Sequence, residues 1–129
     1  MPAPVNVYSA SASAVTDGGA TETVVLTLGP LNVDTVQHTV SIFGQLNITP
    51  GTSAVSCVIK IRRNTVSGTQ VGTTETALTV ATDNISVPFS GIDTPGEQAG
   101  IKYVVTVAEG SAAADGTVNV VGATAIVSQ

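Results

Sequence analysis

The chain has 129 residues, a formal net charge of −5 and four basic residues. That length suits one domain, with about two-thirds of the unfolded chain's surface hidden on folding. The scarcity of Lys and Arg excludes the electrostatic footprint that nucleic-acid binding requires.

The 21 Val, 19 Thr and 8 Ile are β-branched, while Phe and Tyr number two each and Trp is absent. Such a composition predicts an all-β protein with a core of small side chains and essentially no helix. One cysteine cannot form an internal disulfide, which fits assembly in a reducing cytoplasm. The N-terminus has neither a positive n-region nor an apolar h-region, and no apolar run is long enough to span a bilayer. A soluble chain without a secretory leader or membrane partner is therefore expected.

Residues 1–22 are rich in Pro, Ala, Ser and Gly, and read as an extended N-terminal arm. The expected domain occupies 23–129. It begins with a strand at 23–28, which Gly29-Pro30 interrupts. In HTVSIFGQLNI, Val40, Ile42, Gly44, Leu46 and Ile48 share one face, with Phe43 as the outward exception. Pro50-Gly51 suits a type II turn. The next strand sets Val55, Cys57, Ile59 and Ile61 on one face, and Ser56, Val58, Lys60 and Arg62 on the other.

Further strands are expected over 75–81, 84–90 and 101–108, then one from about 116 to the C-terminus. The stretches 91–100 and 109–116 read as loops. Seven or eight short strands with polar and apolar faces predict an antiparallel two-sheet sandwich. Jelly-roll and immunoglobulin-like arrangements both satisfy that pattern. The absence of a Cys and Trp framework favours the jelly roll.

The succession GQLNITPGTSAVSCVIKIRRNTVSGTQVG, IDTPGEQAGIKYVVTVAEG and GTVNVVGATAIV resembles the small jelly-roll decoration, or cement, proteins of bacteriophage capsids. Its organisation is also similar to trimeric jelly rolls of the tumour-necrosis-factor and C1q-like type. The resemblance covers residues 23–129 and rests on strand order and turn placement. It implies a structural virion protein, assembled in the host cytoplasm, that binds as a homotrimer across neighbouring capsomers on the outer capsid surface, with the major capsid protein as partner. A host-attachment or carbohydrate-binding head is the alternative.

Candidate chemistry is sparse. Cys57 and His38 could formally pair, but Cys57 occupies an inward strand position, which predicts a packing role. No serine stands in a nucleophile elbow, and structural zinc lacks ligands. Asp83, Asp93, Glu97 and Asp115 sit at turns without calcium-loop spacing, and turn hydrogen bonding accounts for most of them. Asn47-Ile48-Thr49 and Asn84-Ile85-Ser86 match the N-glycosylation pattern by chance. No enzyme activity and no cofactor is expected.

Partner binding has two candidate sources. Pro4, Val5, Val7 and Tyr8 supply stiffness and apolar anchors to the arm. Lys60, Arg62 and Arg63 gather three of the four positive charges on one strand. They read either as charges guarding an exposed strand or as an intersubunit or capsid contact.

Overall fold

The computed structural model describes residues 6–16, 19–36, 38–49, 56–78, 83–110 and 116–128. Pro4, Val5, Val55, Asp115 and the expected Pro50-Gly51 turn lie outside the described residues. Eight strands follow in order: β1 (Asn6–Thr16), β2 (Thr23–Val33), β3 (Thr39–Thr49), β4 (Ser56–Arg63), β5 (Gln70–Leu78), β6 (Ile85–Asp93), β7 (Gln98–Glu109) and β8 (Thr117–Ser128).

The chain doubles back on itself at the β4–β5 hairpin. From there outward β3 pairs with β6, β2 with β7 and β1 with β8, all antiparallel. Rolling this long ribbon brings β8 beside β3 and β7 beside β4. The result is two four-stranded sheets, β1-β8-β3-β6 and β2-β7-β4-β5. That is a jelly-roll sandwich, as the strand count and patterning predict.

The inner faces hold the expected core. Val40, Ile42, Leu46 and Ile48 of β3 and Cys57, Ile59 and Ile61 of β4 are buried, and Phe43 points outward. At Gly44 the alternation needs a residue without a side chain. A Cβ there would collide with the Gly122 carbonyl oxygen, the Phe89 ring and the Ala123 backbone. Gly44 therefore lets the Phe89 ring pack against neighbouring backbone.

Three expectations are corrected. Most of the segment read as an arm is β1, paired with β8 from Asn6↔Val127 to Thr16↔Thr117. Ser9, Ser11 and Ser13 alternate with Tyr8, Ala10 and Ala12, and the latter three pack against the core together with Val15. Small residues gave this strand little apolar density, but an eight-stranded jelly roll needs it.

Secondly, β2 does not stop at Gly29-Pro30. It continues to Val33 through register shifts around Leu28 and Leu31. Pro30 is tolerated because β2 lies at a sheet edge, where a missing N–H breaks no inner ladder. Pro88 obeys the same rule on β6, the edge of the other sheet. Thirdly, β5 starts at Gln70, five residues before the expected strand, and β6 and β7 absorb much of the 91–100 loop.

Removing residues 6–16 should strip β8 of its outer partner and expose a long ladder edge. The shortened chain is expected to melt at a lower temperature and to aggregate on heating. Thermal melts with light scattering, compared with the full chain, check this.

Candidate functional site

The period of two along β4 places Lys60 and Arg62 on the outer face of the β2-β7-β4-β5 sheet, and Arg63 where the strand enters its hairpin. Their partners lie within the chain. Arg62 forks onto Glu22, with Nε donating to Oε2 at 2.5 Å and Nη2 to Oε1 at 2.9 Å. Its Nη1 also donates to the Gly68 carbonyl at 3.0 Å. The Lys60 ammonium stands 3.9 Å from Glu22 Oε1.

These long side chains lie on β4 beside Val104 and Thr106 of β7, which are buried although they alternate with the inward residues Tyr103, Val105 and Val107. The bond from Arg62 holds the Glu22 carboxyl below its ordinary pKa despite partial burial, with further help from Thr106 and Lys60.

Arg63 makes a second fork. Its Nε donates to Asp93 Oδ2 at 2.7 Å and its Nη2 to Oδ1 at 2.5 Å. The Tyr103 hydroxyl donates to the same Oδ2 at 2.7 Å. Asp93 ends β6 in one sheet, whereas Arg63 and Tyr103 belong to the other, so the cluster ties the two sheets together. Asp93 is 8% exposed.

Burial pushes the Asp93 carboxyl up, but the bonds from Arg63 and Tyr103 outweigh it and hold the group below its ordinary value. The same burial, with Asp93 alongside, pushes the Tyr103 phenol up. Asp93 thus stands apart from the turn hydrogen bonding expected to account for most of the acidic residues at turns.

The hairpin between Arg63 and Gln70 is built around these forks. The Arg63 amide donates to Thr69 O at 2.9 Å and the Asn64 amide to Lys102 O at 2.8 Å, while Asn64 Oδ1 accepts from the Lys102 amide at 3.1 Å. Gly68 is required by close approach, since a Cβ would meet the Arg63 carbonyl oxygen at 1.8 Å. The local concentration of positive charge thus serves the turn on which the whole ribbon folds.

The other expected site residues separate. Val7 is exposed on β1, and Tyr8 beside it is half-buried toward the core. His38 is exposed, its Nδ1 at 3.1 Å from the Val36 carbonyl oxygen, whereas Cys57 is fully buried. The two do not share an accessible point. Among the described residues, no group of three His, Cys, Asp or Glu is placed to hold a metal ion, and no helix is long and apolar enough to cross a membrane.

An open depression of about 560 Å³ lies where β3, β6 and β8 pass at Gly44 and Gly122. Phe43, Gln45, Pro88, Phe89 and Thr124 line it, with Glu75 from the opposite sheet.

No protein-family model matches the chain, and no curated protein matches it. Solved structures do. VP2 of infectious bursal disease virus, from a subviral particle, superposes with a TM-score of 0.57 over 97% of this chain and 33% of its own, at 16% identity. The T13 particle of the same virus gives 0.59 over 97% of this chain and 31% of its own, at 14% identity. A family 35 carbohydrate-binding module from Clostridium thermocellum reaches 0.42 at 15% identity, with 94% and 98% coverage. The chain spans about a third of the viral proteins it matches, and at these identities the likeness is one of fold.

Arg63→Ala would leave Asp93 buried with only Tyr103 as a side-chain partner. A loss of about 2–3 kcal/mol is expected, less than for a fully buried pair because the guanidinium is partly solvated. Arg62→Ala should cost only about 1 kcal/mol. Denaturant titration separates the two.

Folding lowers the pKa of both Asp93 and Glu22, so their contribution is full above the ordinary carboxylate range near ~4 and is lost as pH falls through it toward the lower folded values. The melting temperature should therefore drop on acidification from about pH 5 to pH 2, and less so in Asp93→Asn. Cys57→Ala should cost about 1–2 kcal/mol, and Cys57→Ser more, because the serine buries a hydroxyl. Native protein should resist thiol labelling.

Proposed function

We propose that the protein is a structural virion component. In this reading it is a jelly-roll subunit that decorates and stabilises a phage capsid by binding across neighbouring capsomers. It associates with itself as a homotrimer and takes the major capsid protein as partner, on the outer capsid surface after assembly in the host cytoplasm. It carries no catalytic activity.

The observation that carries the reading is the strand order, an eight-stranded jelly roll superposable over nearly its whole length on a virus particle protein. The polar chemistry agrees with it. The two Arg forks are spent on Glu22 and Asp93 inside the fold, where they stiffen a module and leave recognition to strand faces and edges.

Arg62 and Arg63 therefore act on attachment through the integrity of the hairpin, and Val7 remains a candidate contact in its own right. Mixing the protein with purified undecorated capsids and pelleting them is the test. Saturable co-sedimentation, with capsids that withstand higher temperature once decorated, is the expected result. Protein that stays in the supernatant at every concentration defeats the proposal.

A further inference from the structure

The two outer sheet faces are treated very differently by the sequence. On β2-β7-β4-β5 the side chains of Lys60, Arg62 and Glu22 are joined by ionic contacts. On β1-β8-β3-β6 the pairing lines up four rows of outward residues. They are Val7–Ile126–Ser41–Ile92, Ser9–Thr124–Phe43–Ser90, Ser11–Gly122–Gln45–Pro88 and Ser13–Val120–Asn47–Ser86.

No position in these rows is charged, although the chain carries nine acidic and four basic residues. Four of the large exposed hydrophobics fall on the same face: Val7 at 60%, Phe43 at 47%, Ile92 at 67% and Val120 at 52%. Between them stand Ser, Thr and Gly together with the larger Gln45, Asn47, Pro88 and Ile126, all uncharged.

We infer that this face is the self-association surface of the protein and that its occupant is a second copy of the same chain. Charge argues for that occupant. Copies with a net charge of −5 repel one another, and four rows without a charge let two meet with few like charges opposed, Glu75 at the depression beside Phe43 being the acidic group that borders the seam. Area argues the same way. Strands of 11 residues at ~3.3 Å each and four strands at ~4.8 Å spacing give a footprint of about 700 Å² per copy. The resulting ~1,400 Å² total lies within the range of stable specific interfaces. Aromatic Phe43 at the middle, ringed by Ser90, Thr124 and Gln45, supplies the apolar anchor such interfaces have at their centre.

The inference rests on the self-association in the functional reading above, but not on its trimeric order, since a face that meets its own copy closes as a pair, nor on capsid binding. Sedimentation of the full chain at micromolar concentration tests it. Wild type should assemble, and Phe43→Asp should raise the dissociation constant at least tenfold with an unchanged far-ultraviolet spectrum. Ser90→Arg, at an exposed position in the same row, carries the test should the Phe43 variant fail to fold. Val24→Asp, exposed on the other sheet, should assemble as wild type does.

A monomeric wild type overturns the inference, whatever capsid pelleting shows. If wild type assembles and both face variants assemble equally well, the face is the wrong one while self-association stands. If those variants still assemble but no longer pellet with capsids, the occupant is the capsid, and the inference is equally overturned.

Discussion

Everything in this molecule depends on a chain folded in half. Outward from the β4–β5 hairpin, antiparallel pairing of β3 with β6, β2 with β7 and β1 with β8 runs along one ribbon, which is then rolled. In the rolled sandwich the hairpin is secured by two Arg forks, the reciprocal bonding of Asn64 with Lys102, and a glycine where the backbone folds onto Arg63. The Asp93 end of the second fork lies in the other sheet, so the same contact that fixes the turn also fixes how the rolled ribbon closes.

That arrangement explains why four basic residues suffice. With small β-branched side chains as filling, the core gains its stability from many modest burials, none of which dictates a unique register. The ionic forks do so. Their bidentate geometry admits little slippage, and a one-residue slip of β4 would carry Arg62 and its neighbours to the inner face. Edge strands are managed by other means: Pro30 on β2 and Pro88 on β6 deny a full ladder to any strand adding there.

The legible parts of the sequence were those with strong contrast between faces. β3 and β4 show it in Val40 to Ile48 and Cys57 to Ile61, and both strands stand where the alternation puts them. β1 has the same alternation, but written in Ser against Ala, so its amplitude is small and composition suggested an arm. Where backbone irregularity intervenes the period itself misleads. Around Asn119 the register shifts against β3, so that Val118 and Val121 are both buried while Val120 is exposed. The partners of the basic cluster were out of reach for a different reason. Glu22 lies 40 residues from Arg62 and Asp93 lies 30 from Arg63, and only the rolled topology brings them together.

The contrast between the outer faces has a physical origin in the same economy. A sheet face can be shielded by long charged side chains laid along it, or kept bare and covered by another molecule. The β2-β7-β4-β5 face takes the first course, and its ionic groups then cannot serve a partner without leaving carboxylates of their own chain unpaired. The β1-β8-β3-β6 face is left bare of such side chains. Ser, Thr and Gly there cost little entropy to immobilise, and hydrophobic residues spaced among them offer burial without a desolvated charge. In an acidic protein such a face can receive another copy without the electrostatic penalty that the remaining surface would impose. On the proposed reading, ion pairs fix the closure of the fold and apolar contact carries association. The two respond oppositely to salt, since screening weakens the partly exposed forks and relieves the repulsion between copies.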